Sequence, residues 1–350
     1  MLECITKKID VVSSEVSNKI ANLSFVCSIL VLLIHTERSA ECISINWITS
    51  TISQIGVPFF FAVSGFLLLN RYNEIGWYKQ ALVKRFWSLL VPFVCLNILW
   101  FPFKYAIHYI GYVYFGADHS NPTMVLSFIN FLRAFSPIAV YGSPCVGPLW
   151  YVRALMWLVV FSPIVAYCVC KSRKLCSAFM IFVAVIWCLQ VAKVFNIDFS
   201  GSGLDYSFRC LFYFALGMCV RKWRLWNVRH ATGLVSFTIG LSLLSVNHVY
   251  SIEYIGMLGV LMSIIGAWSL IPSDSWPKLL TKNCYAIYAF HTILIYIGHT
   301  TLKACKLTEY FNHGFGAWLL ASFYLIVCCV AGYTMRKHSP KLATAILGGR

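Results

Sequence analysis

The sequence predicts an all-α integral membrane protein, a bundle of about ten transmembrane helices with the N- and C-termini cytoplasmic. Three observations carry this. The 350-residue chain is 59% hydrophobic and 11% charged. A soluble domain carries about 25% charged residues, so these charges are too few to cover a water-facing surface. Its apolar stretches recur near the roughly 20-residue length that spans a bilayer. Its 28 Lys and Arg fall mostly in alternate loops, as the positive-inside rule requires.

The first apolar run, 20–35, follows a polar segment and ends in His35. No small-residue cleavage site comes after it, so it reads as a retained span. Ser24, Ser28, Val31 and His35 share one helical stripe. That stripe suits either a narrow channel rising from the cytoplasm or ordinary helix packing. The second run, 52–70, holds Gly56-Val57-Pro58-Phe59-Phe60-Phe61-Ala62-Val63-Ser64-Gly65. Gly56 and Pro58 shape its entry, and Ser64-Gly65 permits close approach of a backbone or a thin ligand. The third, 86–115, contains Pro92 and Pro102, which a membrane helix tolerates.

The segment Gly116–Gly147 carries Pro122, Pro137 and Pro144 and is expected to cap the outer face as a partly helical loop. The fourth run, 148–170, enters through Leu149-Trp150 and places Arg153 about one turn later. The fifth, 175–195, follows the basic group Lys171, Arg173 and Lys174. The sixth, 205–220, sets Asp205 and Arg209 at i, i+4, a spacing suited to an ion pair. The seventh, 231–247, follows Arg221, Lys222, Arg224 and Arg229, and the eighth, 253–271, opens on Glu253. The ninth, 283–302, carries Tyr288 and His291 on one face, and the tenth, 314–335, precedes Arg336, Lys337 and Lys341. The expected organisation is a cytoplasmic segment at 1–18, one membrane domain at 19–335 and a cytoplasmic tail at 336–350, with no internal repeat.

The net charge of +16 could suggest nucleic acid, but its placement argues for membrane orientation. Only Arg38, Arg133, Lys193, Lys303 and Lys306 fall on the outer side, with Lys104, Arg153 and Arg209 inside spans. The basic excess therefore faces the cytosol and anionic lipid. No nucleic-acid partner is expected. Most of the 15 cysteines lie inside spans, where they act as small apolar residues. None has the spacing of metal ligands, so no metal site is expected. An outer Cys42–Cys145 disulfide stays open.

An ionisable side chain inside a span is a functional candidate by default. His35 lies 16 residues above Lys19, roughly 24 Å up the helix at 1.5 Å per residue. Arg153, Asp205, Arg209 and Glu253 fall near that level and could join it in one polar layer. The alternative is that these charges pair with one another to hold the bundle. His291 falls nearer the midplane with Tyr288 beside it, as a satisfied structural histidine or a substrate-channel residue.

Several segments together resemble the acyltransferase-3 family of integral-membrane acyltransferases, which modify bacterial surface polysaccharides and related acceptors. They are the helix ending in His35, the stretch Gly56 to Leu67, Lys84-Arg85 leading to Leu90-Val91-Pro92-Phe93, Pro148-Leu149-Trp150-Tyr151-Val152-Arg153 with Ser162-Pro163, and Ile287-Tyr288-Ala289-Phe290-His291. The order and spacing agree from about 18 to 335. The resemblance implies a ten-helix fold in the bacterial cytoplasmic membrane. It also implies an acyl-CoA donor, acetyl-CoA by the family's habit, acting as substrate with no bound cofactor. The acceptor would be a hydroxyl of a surface polysaccharide or lipid-linked glycan. Ser24 and Ser88 stand where the family usually has arginines. Lys84, Arg85, Lys19 and the Arg221, Lys222 and Arg224 cluster could supply the charge for the donor's phosphates.

On this reading His35 is the general base, since imidazole titrates near neutrality and can take the proton of an attacking hydroxyl. Arg153 is the candidate cation for the oxyanion of the tetrahedral intermediate. Ser24, Ser64, Lys84, Arg85 and His291 are the candidate donor-binding residues. Two other function classes stand beside the enzyme: an exporter of glycan or lipid-linked sugar, and a catalytically silent membrane relative.

Overall fold

The structure, a computed structural model, describes residues 12–36, 43–69, 72, 76–115, 127–136, 147–194, 206–312 and 314–349. It is an all-α membrane protein, with no strand among the described residues. Helix α1 (Ser14–His35) is capped by Ser13, whose Oγ accepts from the Val16 N–H at 3.3 Å. At its far end the Thr36 N–H bonds Leu32 O. Its lower half is fixed to the chain near residue 273. Asn18 Nδ2 donates to Ser273 O at 3.0 Å, and Asn22 Nδ2 donates to Asp274 O at 2.8 Å. The second of these bonds gives the fully buried Asn22 amide an acceptor in that stretch of chain.

The second span begins earlier than its apolar run. Helix α2 (Ile43–Ser50), a short 3-10 turn at Ile52–Ile55 and α3 (Gly56–Leu68) form one apolar stretch from Ile45 to Leu68. Ser50, Thr51 and Gln54 interrupt the hydrophobic pattern in the sequence. In the fold their side chains bond backward to backbone carbonyls of the same segment, Ser50 Oγ to Asn46 O at 2.6 Å and Gln54 Nε2 to Thr49 O at 2.9 Å. A polar group satisfied locally in this way is tolerated at membrane depth.

The third span also starts earlier. Helix α4 (Trp77–Arg85) runs through a π turn at Phe86–Leu90 into α5 (Val91–Phe115). In that turn the Val91 N–H reaches Phe86 O. Pro92 has no N–H to continue the regular ladder, and one wide turn is a common accommodation. A short helix α6 (Phe128–Ala134) belongs to the expected outer segment. Helices α7 (Leu149–Val160) and α8 (Ser162–Lys171) meet at a 60° bend, with Pro163 near the start of α8.

The remaining helices are α9 (Arg173–Val191), α10 (Tyr206–Trp223), α11 (His230–Tyr250), α12 (Glu253–Leu270), α13 (Lys278–Thr281), α14 (Cys284–Ala304), α15 (Thr308–Asn312), α16 (Gly314–His338) and α17 (Pro340–Leu347). Seven described helical stretches are long and apolar enough to cross a membrane, and the bent α7–α8 pair makes up to eight. The sequence expectation of about ten also counted α10 and α14. These two carry polar groups, Arg209, Arg221 and Lys222 on α10 and His291 and His299 on α14. Both sit inside the bundle, where Tyr213, Phe214, Ala215, Ala286, Ala289 and His291 are all fully buried. Neighbouring helices shield them from lipid, so they need less apolar surface.

Helices α3 and α10 pack backbone to backbone. A Cβ on Gly65 would lie 1.9 Å from Phe214 O, and one on Gly217 would lie 1.8 Å from Ala62 O. The two contacts are reciprocal and antiparallel, and only glycine allows them. This is the close approach expected of Ser64-Gly65. It holds Ser64 at the edge of the internal space described next.

Candidate functional site

The site begins with a register. Helices α1 and α14 run parallel, and Ser28 Oγ lies 3.5 Å from Cys284 O. Seven residues on, about two helical turns, α1 reaches His35 and α14 reaches His291. The two imidazole rings stand 5.1 Å apart between centroids, tilted by 42°. The sequence reading placed His35 in the outer part of the bilayer and His291 nearer its middle. The structure puts them at one level, because α14 begins beside Ser28 rather than beside the first turn of α1.

His291 is wholly buried. Its Nδ1 lies 2.8 Å from Ile287 O. A carbonyl can only accept, so Nδ1 carries the proton and Nε2 presents a lone pair. That Nε2 is buried and has no hydrogen-bond partner. An unmatched buried acceptor is uncommon in folded proteins and is often a functional atom. His35 is the last residue of α1 and is exposed. The pair therefore joins an open imidazole to a dry one of fixed tautomer. Tyr288, which shares the His291 face of α14, directs its hydroxyl to Pro148 O.

Below the histidines lies a cavity of about 880 Å³, within the range of small-molecule sites. Four of the seven site residues read from the sequence line it. They are Ser24 from α1, Ser64 from α3, and Lys84 and Arg85 from α4. Lys84 is exposed and Arg85 half-buried. Ser88, in the π turn, and Gly348 and Gly349, just after α17, line it too. Ile20 and Gly348 share its wall, so the start of α1 and the end of α17 lie at one face of the bundle.

The cavity ends at two tyrosines. Tyr151 and Tyr288 line it and meet edge to face at 5.8 Å. Tyr151 OH and Ser64 Oγ lie 3.4 Å apart. The next ring along α14 is His291, 6.4 Å from Tyr288 between centroids. His35, His291 and Arg153 are not part of the cavity wall. Arg153 is completely buried on α7, with its Nη1 3.5 Å from Ser136 O.

Of the expected polar layer, His35, Arg153, Arg209 and Glu253 are among the described residues. Arg209 Nη2 lies 3.5 Å from Gln54 O, and Glu253 is exposed at the start of α12. Asp205, Cys42 and Cys145 lie outside the described residues, so the Asp205–Arg209 pair and the outer disulfide do too. Sequence reasoning missed the tyrosine wall and the C-terminal glycines. A signal for the wall was present, because Tyr285, Tyr288 and His291 follow one another at three-residue steps along a single helix face.

A family model described as an acyltransferase domain matches residues 20–335, nearly the whole chain. No curated protein and no solved structure matches it.

Proposed function

We propose an acyl-transfer reaction for this chain, which belongs to the acyltransferase-3 family and is a multi-pass membrane protein. The donor is an acyl-CoA, acetyl-CoA by preference, that enters from the cytosol. The acceptor is a hydroxyl of a surface polysaccharide or lipid-linked glycan, and the setting is the bacterial cytoplasmic membrane. One observation carries the reading: a cavity with Lys84 and Arg85 in its wall ends one helical turn short of the His35–His291 pair. Charged side chains suit the donor's phosphates. The inner end suits a thin pantetheine arm, with Ser64, Tyr151 and Tyr288 able to hydrogen-bond it.

The chemistry then follows from the two imidazoles. The acceptor oxygen attacks the thioester carbonyl as His35 takes its proton. The tetrahedral intermediate collapses, the C–S bond breaks, and the thiolate recovers that proton as the free thiol of CoA. His291 cannot give its Nδ1 proton freely, because Ile287 O holds it. Its unmatched Nε2 would accept a hydrogen bond from the imidazolium formed on His35 once the rings, 5.1 Å apart between centroids, draw together. A base oriented by a second acceptor is a recurring arrangement in nucleophilic chemistry. Arg153 stays the proposed cation for the oxyanion.

The test is transfer of radiolabelled acetyl from acetyl-CoA to glycan in isolated membranes, with and without His35→Ala. We expect label in the glycan for the native chain and none for the variant. Movement of glycan across the membrane without label transfer would favour an exporter. CoA binding without transfer would favour a silent relative. Mass analysis of surface glycans from cells with and without the gene identifies acyl group and acceptor together.

A further inference from the structure

We propose that Tyr288, backed by Tyr151, sets the length of acyl group the protein transfers, and that it restricts the donor to short acyl thioesters. This rests on the reading of the cavity as the acyl-CoA site. The thioester carbonyl must come within reactive distance of an acceptor oxygen, about 3–3.5 Å, and that oxygen must in turn lie beside a histidine. The cavity stops before that point. Its end wall is the Tyr151–Tyr288 pair, and the Tyr288 ring stands between the cavity and His291.

Contacts on both ends of the side chain hold Tyr288 in place. Its hydroxyl donates to Pro148 O, and its ring lies 5.5 Å from that of Tyr285. For a carbonyl to reach the histidines, Tyr288 must release Pro148 O and turn aside. The acyl tail, which lies beyond the carbonyl, must then share the space the two rings occupy. Tyr151 is itself packed 4.7 Å from the buried Phe61, so the side of that space away from the cavity gives little. An acetyl group adds one methyl there. A hexanoyl group adds a chain longer than the tyrosine ring is wide. In the transfer itself the acyl carbon leaves sulfur for the acceptor oxygen, and the hydroxyl proton passes by way of His35 to the departing thiolate. The tyrosines take no part in that exchange. They decide which acyl carbon can arrive.

The experiment compares acetyl-, butyryl- and hexanoyl-CoA as donors in isolated membranes, reading acyl label incorporated into glycan as kcat/KM. Each methylene at a tight wall is worth roughly tenfold or more in selectivity. The native chain should favour acetyl over hexanoyl by about a hundredfold or more. Tyr288→Ala should narrow that ratio by about tenfold. Tyr288→Leu should fall between, and Tyr151→Leu should move the ratio in the same direction. The three variants guard against one that fails to fold. A uniform fall with all donors in the folded variants, leaving the ratio fixed, overturns the proposal and makes the tyrosines plain packing residues. Absence of transfer from every acyl-CoA by the native chain is a different result. It removes the donor reading itself, and the length rule with it.

Discussion

His35 and His291 face each other because two parallel helices carry them the same distance beyond one crossing point, where Ser28 Oγ lies 3.5 Å from Cys284 O. A seven-residue step returns an α-helix to almost the same face. Both rings therefore point into the gap between α1 and α14, with centroids 5.1 Å apart.

If the two imidazoles act as one unit, their losses will not add. His35→Ala should lower the rate of acyl transfer at least about 100-fold, the usual span for a lost general base being 10²–10⁴. His291→Leu removes the Nε2 lone pair and offers no acceptor in its place, and should lower the rate by a comparable factor. The double variant should lose little more than the worse single one. Initial rates of label transfer measure all three. Losses that multiply would show two independent roles.

Lys84 and Arg85 are proposed to meet the donor's phosphates, so their removal should act on binding and not on chemistry. Changing both to Ala should raise KM for acetyl-CoA by about tenfold or more, one to two charge-assisted contacts being lost, with kcat within a few-fold of native. The same pair of changes should leave acetyl-pantetheine, which lacks the nucleotide phosphates, almost unaffected. Added salt should weaken the native interaction, since Lys84 is exposed and exposed charges are screened. Equal effects on both donors would move the phosphate site elsewhere.

These residues also show what a sequence makes legible. Apolar length announced the helices, and alternating charge announced the loops. Both are bulk properties that lipid imposes on every span. Ser24, Ser64 and the Lys84-Arg85 pair came from three separate local patterns, and the fold gathers them around one cavity. What stayed hidden were relations between helices. The His35–His291 level depends on where α14 starts against α1, which no local pattern encodes. The span count depended on the same thing, because α10 and α14 are shielded by neighbours and can carry charges and histidines that hydropathy counts against them. The start of the second span was obscured by Ser50, Thr51 and Gln54, whose polar groups turn back onto their own backbone.

The crossing of α3 and α10 gives a stability prediction. Gly217→Ala would drive a methyl to 1.8 Å from Ala62 O, and the helices must part to admit it. Overpacking of this kind typically costs about 1–3 kcal/mol, which in a chain of this size lowers the thermal midpoint by roughly 1–4 °C. Acyl transfer should fall as well, since Ser64 sits next to Gly65 on the displaced helix and leaves Tyr151. Gly147→Ala is the control, because a Cβ there meets nothing within 4 Å. Thermal unfolding of the purified protein in detergent reads both variants. An unchanged midpoint for Gly217→Ala would mean that the crossing is looser than described.

The C-terminal helix offers the last prediction, because it closes part of the cavity wall from outside the spans. Helix α17 is anchored by Ala343, Ile346 and Leu347, all buried. It ends in Gly348 and Gly349, with φ of 67° and 68°, a conformation in which a side chain is strained. Gly348 also meets the π turn, where a Cβ would stand 2.6 Å from Ser88 O. Ser88 Oγ is buried there without a hydrogen-bond partner. Gly348→Val must therefore push the end of α17 away from Ser88 and open the wall beside Lys84 and Arg85. KM for acetyl-CoA should rise by about tenfold, the loss of roughly one good contact, while kcat holds, since the histidines lie beyond the tyrosine wall at the other end. Steady-state rates with varied acetyl-CoA separate the two constants. A fall in kcat at unchanged KM would show that the end of α17 reaches the reacting groups rather than the donor's path to them.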